Sequence, residues 1–413
     1  MFFAFFLVSE VIYLFLSFKA KEVGMLDLHN DKHMFLIIGS LAILFVAYFF
    51  SYQRLEWGKV SAFRLIAASI ILNLTLLFAP LFLSAEHLFI SSNDIYSYIF
   101  TGRVFSIFGE NPYFVTYDSF THDILYAKLE TIWAHHTVLY GPLFIYLGAL
   151  VNLIGQNNLF LLSLIFKSVL VGANIGAVYL LWKLTKSKRA VFLYGLNPLV
   201  IFELSGNGHT ESLIIFLLLV SIWLLKKVYI GSFIVFVASI LIKYYTAIFL
   251  PFWLISLKKQ GWRKLVSACV VGGAFVVLAY LPLWGGFSTF DYLVSFYNGQ
   301  YVSPALGIYV GEILLGSYAL SFQINTMIFI LVSLVVFWKF YCSAGGIREL
   351  IFGLLILYWV YLLTKTSLVL YWYFIPLIFL GAICTSFKEY RKVGIGAVVF
   401  SSVYSLTLYY FLR

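Results

Sequence analysis

The chain has 413 residues, of which 63% are hydrophobic and only 11% are charged. A soluble domain carries about a quarter charged residues, so this composition excludes a soluble protein and indicates a polytopic membrane protein. The net charge of +10 does not indicate nucleic-acid binding, because the basic residues form short clusters between apolar runs. We predict one integral membrane domain, residues 1–413, of the all-α class.

Apolar runs follow one another along the whole chain, many of them close to the roughly 20 residues that a spanning helix needs. The run from Met1 to Phe18 has no basic segment and no cleavage site, so it is interpreted as a retained span. We predict about 13 transmembrane helices, near residues 2–18, 34–50, 65–84, 159–182, 190–204, 211–225, 230–242, 244–257, 265–284, 324–341, 350–364, 369–386 and 393–411.

Basic clusters between these runs mark the cytoplasmic side. They are Arg54/Lys59/Arg64, Lys183/Lys186/Lys188/Arg189, Lys226/Lys227, Lys258/Lys259/Arg263/Lys264 and Lys388/Arg391/Lys392. If all lie on one side, the stretches Tyr140–Ile154 and Ala305–Leu320 do not cross the membrane. By the same argument Ile230–Leu257 goes out and returns, with Lys243 near its outer apex. One long tilted helix is the alternative for that stretch.

Polar residues concentrate on the predicted outer face. They lie in the loop Glu86–His136, in the turn Ser205–Glu211, at Lys243, at Tyr301–Pro304 and at Lys365. Such a set suits a reaction on a phosphate whose lipid tail lies in the bilayer. A carboxylate can accept the proton of an attacking hydroxyl, cations can stabilise a departing phosphate, and aromatic rings suit a sugar.

Metal-ligand patterns are missing from the sequence. Cys269, Cys342 and Cys384 lie in apolar runs without CxxC spacing, so neither a disulfide framework nor a thiolate site is supported. His135 and His136 are adjacent and lack the i, i+4 spacing of a helical metal site. We expect no metal and no cofactor.

Several motifs in this order resemble the GT-C glycosyltransferases, which use polyprenyl-phosphate-linked sugars. They are Asp94-Ile95-Tyr96-Ser97-Tyr98 with Gly102-Arg103, Gly109-Glu110-Asn111-Pro112-Tyr113, Tyr140-Gly141-Pro142-Leu143, Leu196-Asn197-Pro198, Gly206-Asn207-Gly208-His209-Thr210-Glu211-Ser212, Ile242-Lys243-Tyr244-Tyr245 with Pro251, and Thr364-Lys365 through Tyr371-Trp372-Tyr373 to Pro376. The chain resembles the first mannosyltransferase of GPI-anchor synthesis and bacterial polyprenyl-phosphate-mannose-dependent mannosyltransferases.

The resemblance implies a GT-C-type fold with helices lying along the outer face, and a role for Asp94 as general base in an inverting transfer. The donor phosphate is expected to contact Lys243, Lys365, Arg103 and Lys167. The sugar or acceptor is expected to contact His209, Glu211, Asn207, Tyr98, Tyr140, Trp372 and Tyr373. The chain lacks the second acidic residue that the GPI enzymes carry beside this Asp, which argues against a metal bridge.

The resemblance also divides the domain into an extra N-terminal helical hairpin (1–50), a large extracytoplasmic loop with juxtamembrane helices (85–158) and a helical bundle (159–413). The expected partners are a polyprenyl-phosphate sugar donor, a glycolipid or glycan acceptor and the lipid bilayer, without nucleic acid. The expected location is a bacterial or archaeal plasma membrane with an extracytoplasmic site, or the ER membrane in a eukaryote.

Structural roles remain open for each of these side chains. Asp94 can be a helix N-cap, His209 and Glu211 can hydrogen-bond across a tight turn, and Lys243 and Lys365 can extend toward lipid headgroups. Trp372 and Tyr373 can belong to an interfacial aromatic belt.

The resemblance implies a hexosyltransferase, and among the hexoses it favours mannose. Three other functions compete with this one. A flippase for lipid-linked saccharides is disfavoured because no internal repeat is visible. A polyprenyl-pyrophosphate-dependent ligase or polymerase is expected to present more arginines than Arg103 in the outer loop. A structural scaffold gives no reason for Asp94, Glu211 and Lys243 to share one level.

Overall fold

The computed structural model describes residues 1–83, 88–298, 304–366 and 368–411, and within these ranges the chain is built from helices without a β-strand. The prediction of an all-α membrane protein is therefore confirmed. Glu86 and the segment 301–303, predicted for the outer face, lie outside the described residues.

The first half of the chain contains long helices and a set of short ones. They are α1 (Phe2–Val23), α2 (Asp31–Arg54), α3 (Ala62–Phe82), α4 (Asp94–Ser106), α5 (Thr131–Ala134), α6 (Pro142–Gly155), α7 (Leu159–Thr185), α8 (Lys188–Gly195) and α9 (Pro198–Ile201). Polar N-caps begin several of them: the side chains of Asn30, Ser61 and Asn158 accept hydrogen bonds from backbone amides of α2, α3 and α7.

The second half continues with a π-helical segment, Phe202–Asn207, directly after α9. The remaining helices are α10 (Glu211–Leu224), α11 (Tyr229–Ile240), α12 (Leu250–Gln260), α13 (Trp262–Tyr280), α14 (Asp291–Asn298), α15 (Leu306–Leu315), α16 (Tyr318–Cys342), α17 (Ile347–Thr364), α18 (Ile375–Cys384) and α19 (Arg391–Phe411).

Eight helices in the described ranges are long and apolar enough to cross a membrane, or nine if the bent pair Pro198–Asn207 and Glu211–Leu224 is one broken span. The predicted number of about 13 is not confirmed. Several predicted spans are short helices: α11 has 12 residues, which at about 1.5 Å per residue is about 18 Å against a hydrocarbon core of about 30 Å. An apolar run in the sequence does not reveal where the helix inside it ends.

Both stretches predicted not to cross the membrane contain short helices. The stretch 140–154 forms α6, with 14 residues, and the stretch 305–320 contains α15, with 10. The stretch 230–257 is not one long helix, because α11 ends at Ile240 and a 3₁₀ helix, Tyr244–Phe249, begins after Lys243. The single tilted helix is thereby excluded.

The N-terminal helices pack against the start of the broken span. The hydroxyl of Tyr13 in α1 donates to the carbonyl of Pro198 at 3.2 Å, and that of Tyr48 in α2 donates to the carbonyl of Leu193 at 2.8 Å. Asn197 caps α9, since its side chain accepts from the amides of Leu199 and Val200, and Pro198 takes the first helical position. The Leu-Asn-Pro motif therefore starts a helix.

Glycines allow α4 and α6 to lie in backbone contact. A Cβ atom on Gly102 of α4 would lie 2.0 Å from the carbonyl carbon of Gly148 in α6, so no larger residue fits at this crossing. The start of α6 is fixed similarly: the Gly141 amide donates to the carbonyl of Ile242 at 3.1 Å. The motif around Tyr140 is thus joined by its backbone to the motif around Lys243.

Candidate active site

A cavity opens where α4, α14 and the segments before α6, after α11 and before α18 meet. Six of the predicted site residues line it: Asp94, Tyr98, Tyr140, Lys243, Trp372 and Tyr373. Further lining residues are Ser97, Thr101, Tyr117, Trp133, His136, Thr137, Leu139, Tyr244, Leu293, Phe296 and Leu370. The described lining of the cavity therefore has one carboxylate and one ammonium group within an aromatic wall.

The carboxylate of Asp94 faces this cavity and does not cap its own helix. The N-cap of α4 is Asn93, and Asp94 is the first residue inside the helix. The hydroxyl of Tyr98, one turn later, donates to Asp94 Oδ2 at 3.4 Å. Burial, and next the negative charge of Glu130, raise the pKa of Asp94 to about 7, although the positive charge of Lys243 opposes the shift. A carboxylate with such a pKa is a competent proton acceptor near neutral pH.

Lys243 reaches the cavity paired with a carboxylate. Its Nζ lies 2.5 Å from Glu211 Oε1, and the Glu211 side chain is 1% exposed. Nζ also lies 4.9 Å from the ring centroid of Tyr373 and 5.8 Å from that of Tyr140. Glu211 was predicted to contact sugar, but it lies behind the cavity wall and holds the lysine.

His209 lies behind Asp94 and does not line the cavity. Its Nδ1 is 3.8 Å from Asp94 Oδ2, and its Nε2 is 2.9 Å from Oε2 of Glu203. The imidazole stacks on Trp372 with 3.8 Å between ring centroids and 16° between ring planes. The structure therefore shows His209 beside Asp94, and its contact with sugar stays a prediction.

Asn207 is fully buried and hydrogen-bonded to protein groups. Its Nδ2 donates to Glu203 Oε2 at 3.0 Å, and its Oδ1 accepts from the backbone amide of Ser91 at 2.9 Å. These bonds join the segment before α4 to the π-helical turn. Asn207 thus joins the two segments that carry Asp94 and His209, and it does not line the cavity.

Two predicted phosphate ligands lie elsewhere. Lys167 is fully buried in α7 and donates to the carbonyls of Leu76, Leu88 and Gly206. Arg103 is 4% exposed, and its Nε donates to Asp123 at 2.7 Å. Its other nitrogens donate to Asn152, to Asn157 and to the carbonyl of Gln156. Both cations are bonded to protein groups, and neither lines the cavity.

Lys365 lies on a continuation of the cavity. A neighbouring cavity of about 360 Å³ shares Lys243, Phe296 and Tyr373 with the first, and leads through Tyr361 to a third, of about 890 Å³, that Lys365 lines. The Nζ of Lys365 donates to Thr326 at 3.2 Å and lies 3.8 Å from the ring centroid of Phe322. Burial lowers the pKa of Lys365.

The main residue that sequence reasoning missed is Glu203. It is fully buried in the π-helical segment beside His209. An acidic residue inside an apolar run is costly in a membrane and indicates function by default, so this signal was present in the sequence. Within the described ranges, no group of three or more His, Cys, Asp or Glu side chains is placed to hold a metal ion.

The chain matches one protein family over more than half its length. The profile described as "Alpha-(1->6)-mannopyranosyltransferase, N-terminal domain" matches residues 18–259. This range contains Asp94, His209 and Lys243, and it ends before Lys365 and Trp372.

Two curated proteins are similar to part of the chain. Alpha-(1->6)-mannopyranosyltransferase A of Mycobacterium tuberculosis is 26% identical over 245 residues, 56% of this chain and 45% of that protein. The protein of the same name from Corynebacterium glutamicum is 25% identical over 170 residues, 39% of this chain and 34% of that protein. The match thus covers less than half the length of either relative. No solved structure matches. The resemblance to bacterial mannosyltransferases is confirmed, and the chain belongs to the alpha-(1->6)-mannopyranosyltransferase family.

Proposed function

We propose that this protein transfers mannose from a polyprenyl-phosphate-linked donor to a glycolipid or glycan acceptor at the extracytoplasmic face of a bacterial membrane. The observation that carries the proposal is the placement of Asp94 and Lys243 in the wall of one cavity, in a chain of the mannopyranosyltransferase family. Both curated relatives are named as alpha-(1->6)-mannopyranosyltransferases, which favours mannose over other hexoses.

The proposed chemistry is a single displacement. Asp94 accepts the proton of the acceptor hydroxyl while its oxygen forms a bond to the anomeric carbon. The bond from that carbon to the phosphate oxygen breaks on the opposite face, so the configuration inverts. The lipid phosphate leaves with the bonding electrons, and the ammonium group of Lys243 stabilises its growing charge. An ammonium has three N–H donors, so Lys243 can contact the phosphate while bound to Glu211.

The cavity continues in a direction that suits the donor lipid. From Lys243 it passes a wall of tyrosines and phenylalanines to the third cavity, whose lining includes Ile248, Val294 and Phe329 as well as Lys365. The adjoining helix α16 exposes apolar side chains along its length, among them Met327, Leu331 and Leu334. An apolar exit of this kind suits a polyprenyl chain, with Lys243 and Lys365 near its phosphate.

A polar cleft on the other side of the cavity suits the acceptor. It holds about 610 Å³ and shares His136 and Thr137 with the main cavity. Tyr292 stacks on His136 with ring centroids 5.0 Å apart, and Asp291 and Ser288 lie beside them. Among the described residues that line the cleft there is no lysine or arginine. Aromatic faces with hydroxyl and carboxylate groups suit an uncharged saccharide.

The direction of α7 supports an outward-facing site. Lys167 in α7 contacts the π-helical turn beside His209, while Lys183 and Lys186 lie at the C-terminal end of the same helix. The 18 residues from Lys167 to Thr185 extend about 27 Å at about 1.5 Å per residue. Since basic clusters mark the cytoplasmic side, the cavity faces the other side.

The test is mannosyl transfer by the purified protein in vesicles. Radiolabelled polyprenyl-phosphate mannose and an alkyl mannoside are supplied, and the parent is compared with Asp94→Asn and with Glu110→Gln, an exposed acid of the same loop. We expect Asp94→Asn to lose at least about 100-fold in kcat and the control to match the parent.

Two results would contradict the proposal. Transfer by Asp94→Asn at the parent rate would exclude this residue as the base. Absence of transfer by the parent from any polyprenyl-phosphate sugar, together with movement of a fluorescent lipid-linked saccharide across the vesicle membrane, would establish a flippase instead.

A further inference from the structure

His209 connects the carboxyl group that faces the cavity to one that is sealed inside the protein. Its two ring nitrogens lie 3.8 Å from Asp94 Oδ2 and 2.9 Å from Glu203 Oε2. The side chains of His209 and Glu203 are 0% exposed, whereas that of Asp94 is 14% exposed. The three groups therefore form a line that runs inward from the cavity.

The imidazole is held in place by contacts other than hydrogen bonds. Within the described part of the chain, neither nitrogen of His209 has a hydrogen-bond partner with acceptable geometry, and neither has Oε1 of Glu203. Such buried polar groups cost free energy. A functional site can contain such groups because catalytic hydrogen bonds are often long in the free enzyme and shorten only when substrate binds. The ring of His209 stacks on Trp372, which lines the cavity, so a residue of the cavity wall holds the orientation of the imidazole.

The positions of Glu203 and Asp94 on opposite sides of the imidazole determine which ring nitrogen of His209 carries the proton. A buried carboxyl group without a cation beside it is most stable as the neutral acid. In that form Glu203 donates its O–H to Nε2 of His209 and leaves the imidazole proton on Nδ1, which faces Asp94 Oδ2. We propose that His209 is a positioning residue for Asp94, which it orients and stabilises as a carboxylate through Nδ1–H, and that Glu203 fixes the tautomer of its ring. This inference rests on Asp94 being the base of the proposed function.

The other groups that act on Asp94 come from several elements. Glu130, before α5, and Glu211, at the start of α10, raise its pKa by their negative charges, and Lys243, before the 3₁₀ helix, lowers it. Tyr98 of α4 donates to Asp94 directly and is itself in edge-to-face contact with Tyr140. None of these groups is altered by a substitution at His209, so a change in the titration of Asp94 can be assigned to the imidazole.

His209→Phe tests the ring nitrogens, because phenylalanine lacks them but keeps an aromatic ring against Trp372. Its control is His122→Phe, at an exposed histidine of the large loop. The protonation of Asp94 is followed without substrate by the infrared carbonyl band of the protonated acid, with Asp94→Asn as the blank. In the parent we expect a midpoint of about 7.

We expect the midpoint of His209→Phe to rise by about one pH unit, which is a tenfold change in the acid dissociation constant. In transfer assays, kcat/KM of the variant is then about tenfold lower than that of the parent at pH values below the midpoint. Above the midpoint the difference between the two becomes smaller. A purely structural defect would lower the rate equally at every pH. Glu203→Met, which has no proton to donate to Nε2, is expected to shift the midpoint in the same direction, and the double variant to add nothing, because both act through one ring.

An unchanged infrared midpoint in folded His209→Phe would overturn the inference. Additive shifts in the double variant would overturn the role of Glu203. If His209→Phe does not fold, Glu203→Met carries the same test. If the parent transfers no mannose but the midpoint still moves, the proposed function fails while the effect of His209 on Asp94 stands.

Discussion

Lys243 and Glu211 form an ion pair at 2.5 Å although 32 residues separate them in the chain. The carboxylate is sealed from solvent, and the ammonium reaches the cavity. Removing one partner of a buried ion pair leaves an uncompensated charge, which is far more costly than replacing both partners by apolar residues. The pair therefore has a structural role that can be separated from its proposed chemical role.

Lys243→Met is expected to lower the free energy of unfolding by about 3–5 kcal/mol, because Glu211 remains as a buried unpaired charge. The double variant Lys243→Met/Glu211→Met is expected to regain most of that stability and to remain defective in transfer. Thermal unfolding in detergent and the transfer assay measure the two effects. Full activity of the stable double variant would exclude Lys243 from the donor site.

The pH dependence of transfer is expected to follow Asp94. Since burial raises the pKa of this carboxyl to about 7, kcat/KM rises with pH up to that value and then levels, because only the carboxylate accepts a proton. Glu130→Gln removes a negative charge that raises the pKa of Asp94. We expect its acid limb to move to lower pH. A pH-rate series on parent and variant tests this, and a shift to higher pH would contradict the electrostatic account.

Lys167 is expected to act on stability alone. Lys167→Met leaves three buried carbonyl groups without their donor. Each such group costs about 1–3 kcal/mol, so the loss is several kcal/mol in unfolding free energy. Lys183→Met, at the exposed end of the same helix, is the control. Normal thermal stability of Lys167→Met, combined with loss of transfer, would instead indicate a direct role in catalysis.

The polar cleft is expected to favour longer acceptors. We compare kcat/KM for a mannose tetrasaccharide with that for an alkyl mannoside, and we expect Tyr292→Ala to lower this ratio about tenfold because stacking on a sugar ring is lost. Phe287→Ala, at an 86% exposed residue of the adjoining segment, keeps the parent ratio. An unchanged ratio in Tyr292→Ala would place the acceptor elsewhere.

The sequence by itself determined the fold class and named side chains that meet in one cavity. Apolar content and the lack of charge require spanning helices, and the motifs predict a shared site for Asp94, Lys243, Tyr98 and Tyr373, which all line that cavity. A carboxylate and an ammonium in apolar surroundings need each other or a ligand, so their convergence follows from the cost of burying charge. The number of spans could not be predicted in the same way, because hydropathy gives the length of an apolar run but not the residues at which a helix ends.

The tertiary structure alone decided which polar side chains reach the cavity. Arg103, Lys167, Asn207 and Glu211 look like ligands in the sequence, yet each is bonded to protein groups on another segment of the fold. The role of Glu203 likewise depends on the turn that brings it beside His209. A buried polar group must find its partners in three dimensions, and the one-dimensional order of residues does not say which partner it finds.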